Sequence, residues 1–325
     1  MRVFVTGASG WIGSALVPEL IDAGHQVVGL GRSDASAAAL TRAGAEVVRG
    51  TLDDLDVLRD AAAASDGVVH LAFKHEIAFA GDFQTAADAD RRVVETFGEA
   101  LAGSARPFLL ASGVVGLTPG RMSTEEDGLT SEALPADLAS GPRTRMGTAH
   151  LTLALADRNI RSSVVRLPPT VHGEGDYGFV AALVGIARDK GFSGYIGDGF
   201  QHWPATHRVD AAHLFRLALE GAPPGSVLHA VAEQGVPLRS IAEVIGRHLD
   251  LPTRSVSVDD AAGHFGWLSW FLATDNPASG EVTRELLGWQ PTQPGLIEDL
   301  EKGHYFRTDR PGGTSALPFR ADRSA

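Results

Sequence analysis

Three glycines at intervals of three, Gly7, Gly10 and Gly13, stand between the apolar run Val3-Phe4-Val5-Thr6 and a helical pattern of Ile12, Leu16, Leu20 and Ile21. A strand, a glycine turn and a helix start are the parts of a pyrophosphate cradle. Backbone N–H groups at a helix N-terminus attract an anion, and glycines let the backbone approach it with no Cβ in the way. The next strand, His25-Gln26-Val27-Val28-Gly29-Leu30, comes at the distance expected for one βαβ unit.

Other residues able to do chemistry sit where strands end. After the second strand comes Gly31-Arg32-Ser33-Asp34. An acidic side chain there would hydrogen-bond a ribose 2′-hydroxyl, whereas an arginine would pair with a 2′-phosphate. Gly31 and Arg32 favour NADP; NAD follows if Arg32 is only a solvated loop cation and Asp34 takes the acidic role. Ser112 closes the strand Pro107-Phe108-Leu109-Leu110-Ala111-Ser112, at the edge where ligands of an open α/β sheet collect, although a strand-end serine also commonly satisfies backbone. The stretch from Pro168 to Gly178 carries two prolines and three glycines around His172, Glu174, Asp176 and Tyr177, so it reads as a polar loop suited to substrate contacts, with neither strand nor helix.

The elements that must position these residues alternate. Further strands are expected at Ala45-Glu46-Val47-Val48-Arg49-Gly50, at Gly67-Val68-Val69-His70-Leu71-Ala72 and at Ser162-Ser163-Val164-Val165-Arg166-Leu167. Between them, helices are read through Leu55, Leu58 and Ala61, through Val93, Val94 and Phe97, and through Leu151, Leu153 and Leu155. Thr51-Leu52-Asp53-Asp54 reads as a helix cap, Asp210 as the N-cap of a later helix, Tyr195 to Gly199 as a turn, and Lys74-His75-Glu76 as a solvated loop. The expected class is α/β, a Rossmann-type doubly wound parallel sheet with a smaller C-terminal substrate-binding region. Residues 1–168 form the dinucleotide-binding domain, with 203–235 returning to it; 169–202 and 236–305 form the smaller region, and 306–325 a tail. Residues 118–143, rich in Pro, Gly, Ser, Thr and acids, read as a long loop over the site.

Bulk properties exclude several classes. A net charge of −12 lacks the basic face that nucleic acid or an anionic membrane requires. With no cysteine there are no disulfides, thiolate metal sites or thiol catalysis, and His202 and His207, separated by Trp203 and Pro204, do not make a metal pair, so no metal is assigned. No secretory pattern or membrane-length apolar stretch is seen, and a cytoplasmic location follows by default.

From Thr6-Gly7-Ala8-Ser9-Gly10-Trp11-Ile12-Gly13 through Ser112 and Arg166-Leu167-Pro168-Pro169 to Gly197-Asp198-Gly199 and His207-Arg208-Val209-Asp210, the chain resembles the extended short-chain dehydrogenase/reductase superfamily, the group of NAD-dependent epimerase/dehydratases and 3β-hydroxysteroid-dehydrogenase-like proteins. The resemblance implies that Gly7, Gly10, Trp11, Ile12, Gly13 and Arg32 contact the phosphates and adenosine end of the dinucleotide. It further implies that Leu52 lies near the adenine, that Leu71 and Ala72 line the ribose region, and that Pro168 to Val171 approach the nicotinamide. The partner implied is a small-molecule substrate, and a homodimer is a family expectation.

The superfamily's chemistry uses a serine, a tyrosine and a lysine four residues after it. Ser112 fits the serine. Arg145 stands at the tyrosine position and Ala149 at the lysine position, and none of the three tyrosines, Tyr177, Tyr195 and Tyr305, has a lysine four residues on. Arginine stays protonated and is a poor proton donor, but it can polarise a carbonyl. The sequence therefore points to an NAD(P)-dependent oxidoreductase for a small or medium-sized carbonyl or alcohol, with Ser112 and Arg145 stabilising an oxyanion and a proton from water, Tyr177 or His172. The alternatives are a redox-neutral epimerase, isomerase or lyase, and a non-catalytic NADP-sensing protein.

Overall fold

Val3, Phe4 and Val5 are fully buried because the strand that carries them, β1 (Arg2–Thr6), is covered on both faces. The computed structural model describes residues 1–128 and 144–307. After β1 the chain runs through α1 (Gly13–Asp22), β2 (Gln26–Gly31), α2 (Asp34–Arg42), β3 (Glu46–Arg49), α3 (Leu55–Ala63), β4 (Gly67–His70), α4 (His75–Phe79), α5 (Phe83–Leu101), β5 (Pro107–Gly113), α6 (Thr144–Ala154) and β6 (Arg161–Leu167). It continues through β7 (Thr170–His172), α7 (Phe179–Lys190), β8 (Ser193–Ile196), β9 (His202–His207), α8 (Arg208–Gly221), β10 (Ser226–His229), β11 (Glu233–Pro237), α9 (Leu238–Leu249) and β12 (Thr253–Val256). Short helices α10 (Ala261–Phe265), α11 (Ser269–Ala273), α12 (Glu281–Leu287) and α13 (Leu296–Glu301) complete it.

Among the described residues, seven strands form a parallel sheet in the order β10-β6-β5-β4-β1-β2-β3. Alternate side chains feed opposite cores. Val3, Val5, Val69, Leu109 and Val165 pack on Leu16 and Leu20 of α1 and on Leu214 and Phe215 of α8. Phe4, Val68, Phe108, Leu110 and Val164 face Leu58 of α3 and Val93 and Phe97 of α5. The order of strands reverses direction at β1 and β4, so the crevice beyond their carboxyl ends is where a ligand is expected. A separate apolar cluster, with Trp203, Ile241, Leu296 and Tyr305 buried in it, underlies two small sheets, β11-β9-β7 and β12-β8.

Several local expectations are corrected. The two prolines do end β6, but Thr170–His172 forms β7, which pairs in parallel with β9 and so restores backbone hydrogen bonding inside the supposed loop. Tyr195 and Ile196 belong to strand β8, paired with β12. The N-cap of α8 is His207, whose Nδ1 accepts the Val209 N–H at 3.3 Å. Asp210 lies inside the first turn, buried, and accepts the Thr292 and Gln293 N–H groups at 3.0 and 3.1 Å. A carboxylate able to stitch a distant chain segment was not distinguishable from a cap by spacing alone. His75 and Glu76 start α4, where a solvated loop was expected. Helix α2 was not foreseen, because its alanines make no apolar stripe; it is started by a reciprocal pair, Ser33 Oγ accepting from Ser36 N at 3.2 Å and Ser36 Oγ from Ser33 N at 2.9 Å. The expectations for residues 129–143 and for the tail from 308 onward lie outside the described residues.

Candidate functional site

The glycine turn is closed by the Gly10 N–H donating to Gly7 O at 2.9 Å, and α1 follows with no acidic side chain in its first turn. Gly7 has φ +68°, and a Cβ there would come within 2.8 Å of the Ala72 nitrogen; at Gly13 a Cβ would come within 2.2 Å of the Gly7 oxygen. Any side chain would therefore spread the turn apart. Beneath it, buried Thr6 Oγ1 lies 2.6 Å from His70 Nδ1, whose other ring nitrogen is 3.1 Å from Asp90 Oδ1. The Ala72 N–H donates to the same Thr6 oxygen at 3.3 Å, so the ends of β1 and β4 are held together. A rigid loop of N–H groups on an uncompensated helix N-terminus suits a phosphate. These residues fit the dinucleotide that the sequence implies, since only glycine leaves the cradle open to a phosphate.

Leu71 and Ala72, half-buried beyond β4, lie against Gly7, and Leu52, half-buried beyond β3, packs on the core under α3 and α5. Arg32 is exposed and pairs with Glu76 at 3.1 Å. Asp34, the acidic alternative, pairs with Arg49 at 2.8 Å at the start of α2. Lys74 holds both carboxylate oxygens of Asp53 at 2.7 Å. Asp54 accepts from Thr51 N and Oγ1 at 2.7 and 2.9 Å, bracing the turn ahead of α3.

At the carboxyl end of β5, Ser112 is buried and Arg145 from α6 donates through Nη2 to the carbonyl of the preceding residue, Ala111, at 2.7 Å. The guanidinium lies 4.2 Å from the centre of the Phe73 ring, while its Nε is buried with no hydrogen-bond partner. Burial pulls the Arg145 pKa below its ordinary value, and the Asp90 carboxylate opposes that. Ala149 is buried in the core one helical turn on. Phe73 packs edge-on to His75, which stacks on Phe79, and Phe79 meets Trp267 at 4.8 Å and Phe179 at 6.4 Å. His75 is open to solvent yet surrounded by protein, as a residue lining a cleft must be; desolvation, then the Arg145 charge, push its pKa down to about 4. Its place was hidden in the sequence because β4's end and α6 meet only in three dimensions.

The stretch after β6 splits into two environments. Val171 accepts from Trp11 Nε1 at 2.7 Å, Tyr177 packs edge-on against the Trp11 ring with centroids 5.9 Å apart, and the Arg208 guanidinium lies 4.4 Å from it. Pro168 is buried at the start of this stretch. Burial raises the Tyr177 pKa, opposed by a hydrogen bond from the Trp11 backbone. His172 instead turns inward: it is buried, its Nδ1 lies 3.0 Å from Asp299 Oδ2, and His304 Nε2 lies 3.1 Å from Asp299 Oδ1. Burial raises the Asp299 pKa, but the hydrogen bonds and charges of these two histidines outweigh it and hold the carboxyl at about 2. The structure thus joins Trp11, Val171 and Tyr177, brings Arg145 to the Ala111 carbonyl next to Ser112 in sequence, and commits His172 to Asp299. No signal in the sequence linked Asp299 to His172, 127 residues away. Among the described residues no group of histidines and acids could hold a metal ion, and no helix is long and apolar enough to cross a membrane.

A family model described as the NAD dependent epimerase/dehydratase family matches residues 3–230. An uncharacterized protein of Schizosaccharomyces pombe is 47% identical over 307 residues, which cover 94% of this chain and 100% of that protein. The 4-hydroxy-2-methyl-3-oxo-4-farnesyl-3,4-dihydroquinoline-1-oxide ketoreductase of Stigmatella aurantiaca is 28% identical, with 99% of this chain and 100% of that protein covered. Among solved structures, the UDP-glucuronic acid 4-epimerase of Bacillus cereus, in complex with UDP-glucuronic acid and NAD, superposes with a TM-score of 0.70 at 19% identity, covering 94% of this chain and 98% of that one.

Proposed function

This chain belongs to the NAD dependent epimerase/dehydratase family, and from that premise we propose that it is an NAD(P)-dependent oxidoreductase acting on a small or medium-sized carbonyl or alcohol. The observation that carries the reading is the contact of Arg145 with the carboxyl end of β5, where it donates to Ala111 O at 2.7 Å, one residue before Ser112. The full-length similarity to a ketoreductase supports it. The dinucleotide, when bound, supplies or accepts the hydride.

The protein's own groups do the rest. Gly7, Gly10, Trp11, Ile12 and Gly13 would hold the pyrophosphate by backbone N–H groups, and Pro168 and Val171 would border the nicotinamide end. The Ser112 hydroxyl and the Arg145 guanidinium bind the substrate oxygen and stabilise the negative charge that grows there, as donors fixed in place before the reaction. Arg145 keeps its proton, so the alkoxide takes one from water in the cleft lined by His75. Tyr177 and His172, engaged with Trp11 and Asp299, support the binding loop in this reading.

The test is nicotinamide absorbance in the purified protein against a panel of aldehydes, ketones and alcohols, alongside calorimetric binding of NAD⁺ and NADP⁺. Turnover that is lost in Ser112→Ala and Arg145→Met while dinucleotide binding persists supports the reading. Dinucleotide binding with no redox turnover on any member of the panel overturns it. Product formed without net consumption of dinucleotide would instead identify a redox-neutral epimerase or lyase.

A further inference from the structure

The strand order β3-β2-β1-β4 means that any contact between the loop after β3 and the segment after β4 must pass over the carboxyl ends of β2 and β1. The Lys74–Asp53 pair makes that crossing, and a second pair, Arg32–Glu76, runs from the end of β2 over β1 alone. Lys74 grips Asp53 through both oxygens at 2.7 Å, with only 19% of its side chain exposed. Two residues on, Glu76 pairs with Arg32 at 3.1 Å, and both of these side chains are open to solvent, 73% for Arg32 and 52% for Glu76. The first pair pins the segment across the adenosine end of the crevice. The second is exposed, single-contact and easily exchanged.

We propose that Glu76 sets this protein's discrimination between the two nicotinamide dinucleotides, by competing with a ribose 2′-phosphate for Arg32. The inference rests on the reading of the glycine turn as a dinucleotide site. An acid in the segment 31–34 would ordinarily carry such discrimination, but Asp34, the acid there, is turned to Arg49, 2.8 Å away, at the N-terminus of α2. The carboxylate that faces Arg32 comes from α4 instead. A 2′-phosphate brings more charge than Glu76 and three acceptor oxygens, so it can take the guanidinium in a bidentate grip. Glu76 then becomes an unpaired anion beside a second anion and opposes that exchange. With a plain 2′-hydroxyl the Arg32–Glu76 pair stays intact. Lys74 and Asp53 keep the segment in place in either case, so the choice is made by one side chain.

The experiment is isothermal titration of NAD⁺ and NADP⁺ into the full chain and its Glu76→Gln, Arg32→Ala and Asp34→Asn variants, with the ratio of the two Kd values as readout. Whichever dinucleotide the parent protein prefers, Glu76→Gln is expected to move the ratio toward NADP⁺ by about fivefold, the size of an exposed ion pair. Arg32→Ala should move it the other way, Asp34→Asn should leave it unchanged, and Glu76→Gln in an Arg32→Ala background should have less than half its effect. Binding of both dinucleotides with the ratio unmoved by Glu76→Gln, or moved more by Asp34→Asn, overturns the inference alone. Binding of neither dinucleotide by the parent protein overturns the dinucleotide reading, and this inference with it.

Discussion

The Trp11 indole N–H donates to the Val171 carbonyl at 2.7 Å, across 160 residues of sequence. The glycine turn of the first βαβ unit and the stretch after β6 are thereby one structural piece. Trp11→Phe keeps the ring that Tyr177 and Arg208 pack on but removes the donor. It should cost about 1 kcal/mol in stability and weaken dinucleotide binding several-fold. Denaturant unfolding and titration calorimetry measure the two effects, and unchanged affinity would show that the Val171 stretch does not contribute to binding.

Gly13 and Gly185 make a matched pair. At Gly13 a Cβ would meet the Gly7 oxygen at 2.2 Å, whereas at Gly185, inside α7, nothing lies within 4 Å. Gly13→Ala should therefore deform the phosphate turn and abolish measurable dinucleotide binding. Gly185→Ala should leave binding intact and raise stability by up to about 1 kcal/mol, since alanine loses less backbone entropy in a helix. Equal effects at the two positions would contradict the packing described.

Arg145 reaches Ala111 O and Phe73 with a planar fork that lysine lacks. If its charge stabilises the oxyanion, Arg145→Met should lower kcat by about a hundredfold with dinucleotide affinity nearly unchanged, and Arg145→Lys should recover part of the loss. A fall confined to KM would mean that Arg145 binds substrate without acting on the developing charge.

Acid should destabilise the protein before its carboxylates are protonated. His229 is brought down to about 4 by burial and the Arg166 charge, and His207 to about 4 by burial and by its neighbours His172 and Arg208. Both folded values lie below the ordinary 6.5, so between pH 6.5 and 4 the unfolded chain binds more protons than the folded one. Stability is then fully present above pH 6.5 and falls with pH through that window, by at most about 1.4 kcal/mol per pH unit for each fully titrating group. Asp299 adds a second loss at lower pH: its folded value of about 2 lies below the ordinary 3.8, so its contribution holds above about pH 4 and disappears toward pH 2. Melting temperatures of the parent and of His229→Gln across this range check the account. The variant should have a lower melting temperature at neutral pH and a flatter decline between pH 6.5 and 4.

The sequence by itself determined the class of fold and the position of the glycine turn. Both follow from local physics: β-branched runs such as Val68-Val69 specify strands buried on two faces, and Gly7, Gly10 and Gly13 at a strand-to-helix junction have few other uses. It also marked Arg145 and Ala149, beside a fitting Ser112, as a departure from the familiar serine, tyrosine and lysine set. The tertiary structure alone decided what each candidate touches. Asp210 looked like a cap and serves a chain segment 82 residues on; Lys74-His75-Glu76 looked like solvated loop and lies across the cleft; His172 looked available and is bound to Asp299. Side-chain partners of this kind depend on the order in which strands enter the sheet and on which loops then meet. Periodicity and propensity report only neighbours a few residues apart, whereas the pairs that shape this cleft, Arg145 with Phe73 and Arg32 with Glu76, form only when β2, β4 and α6 have been packed together.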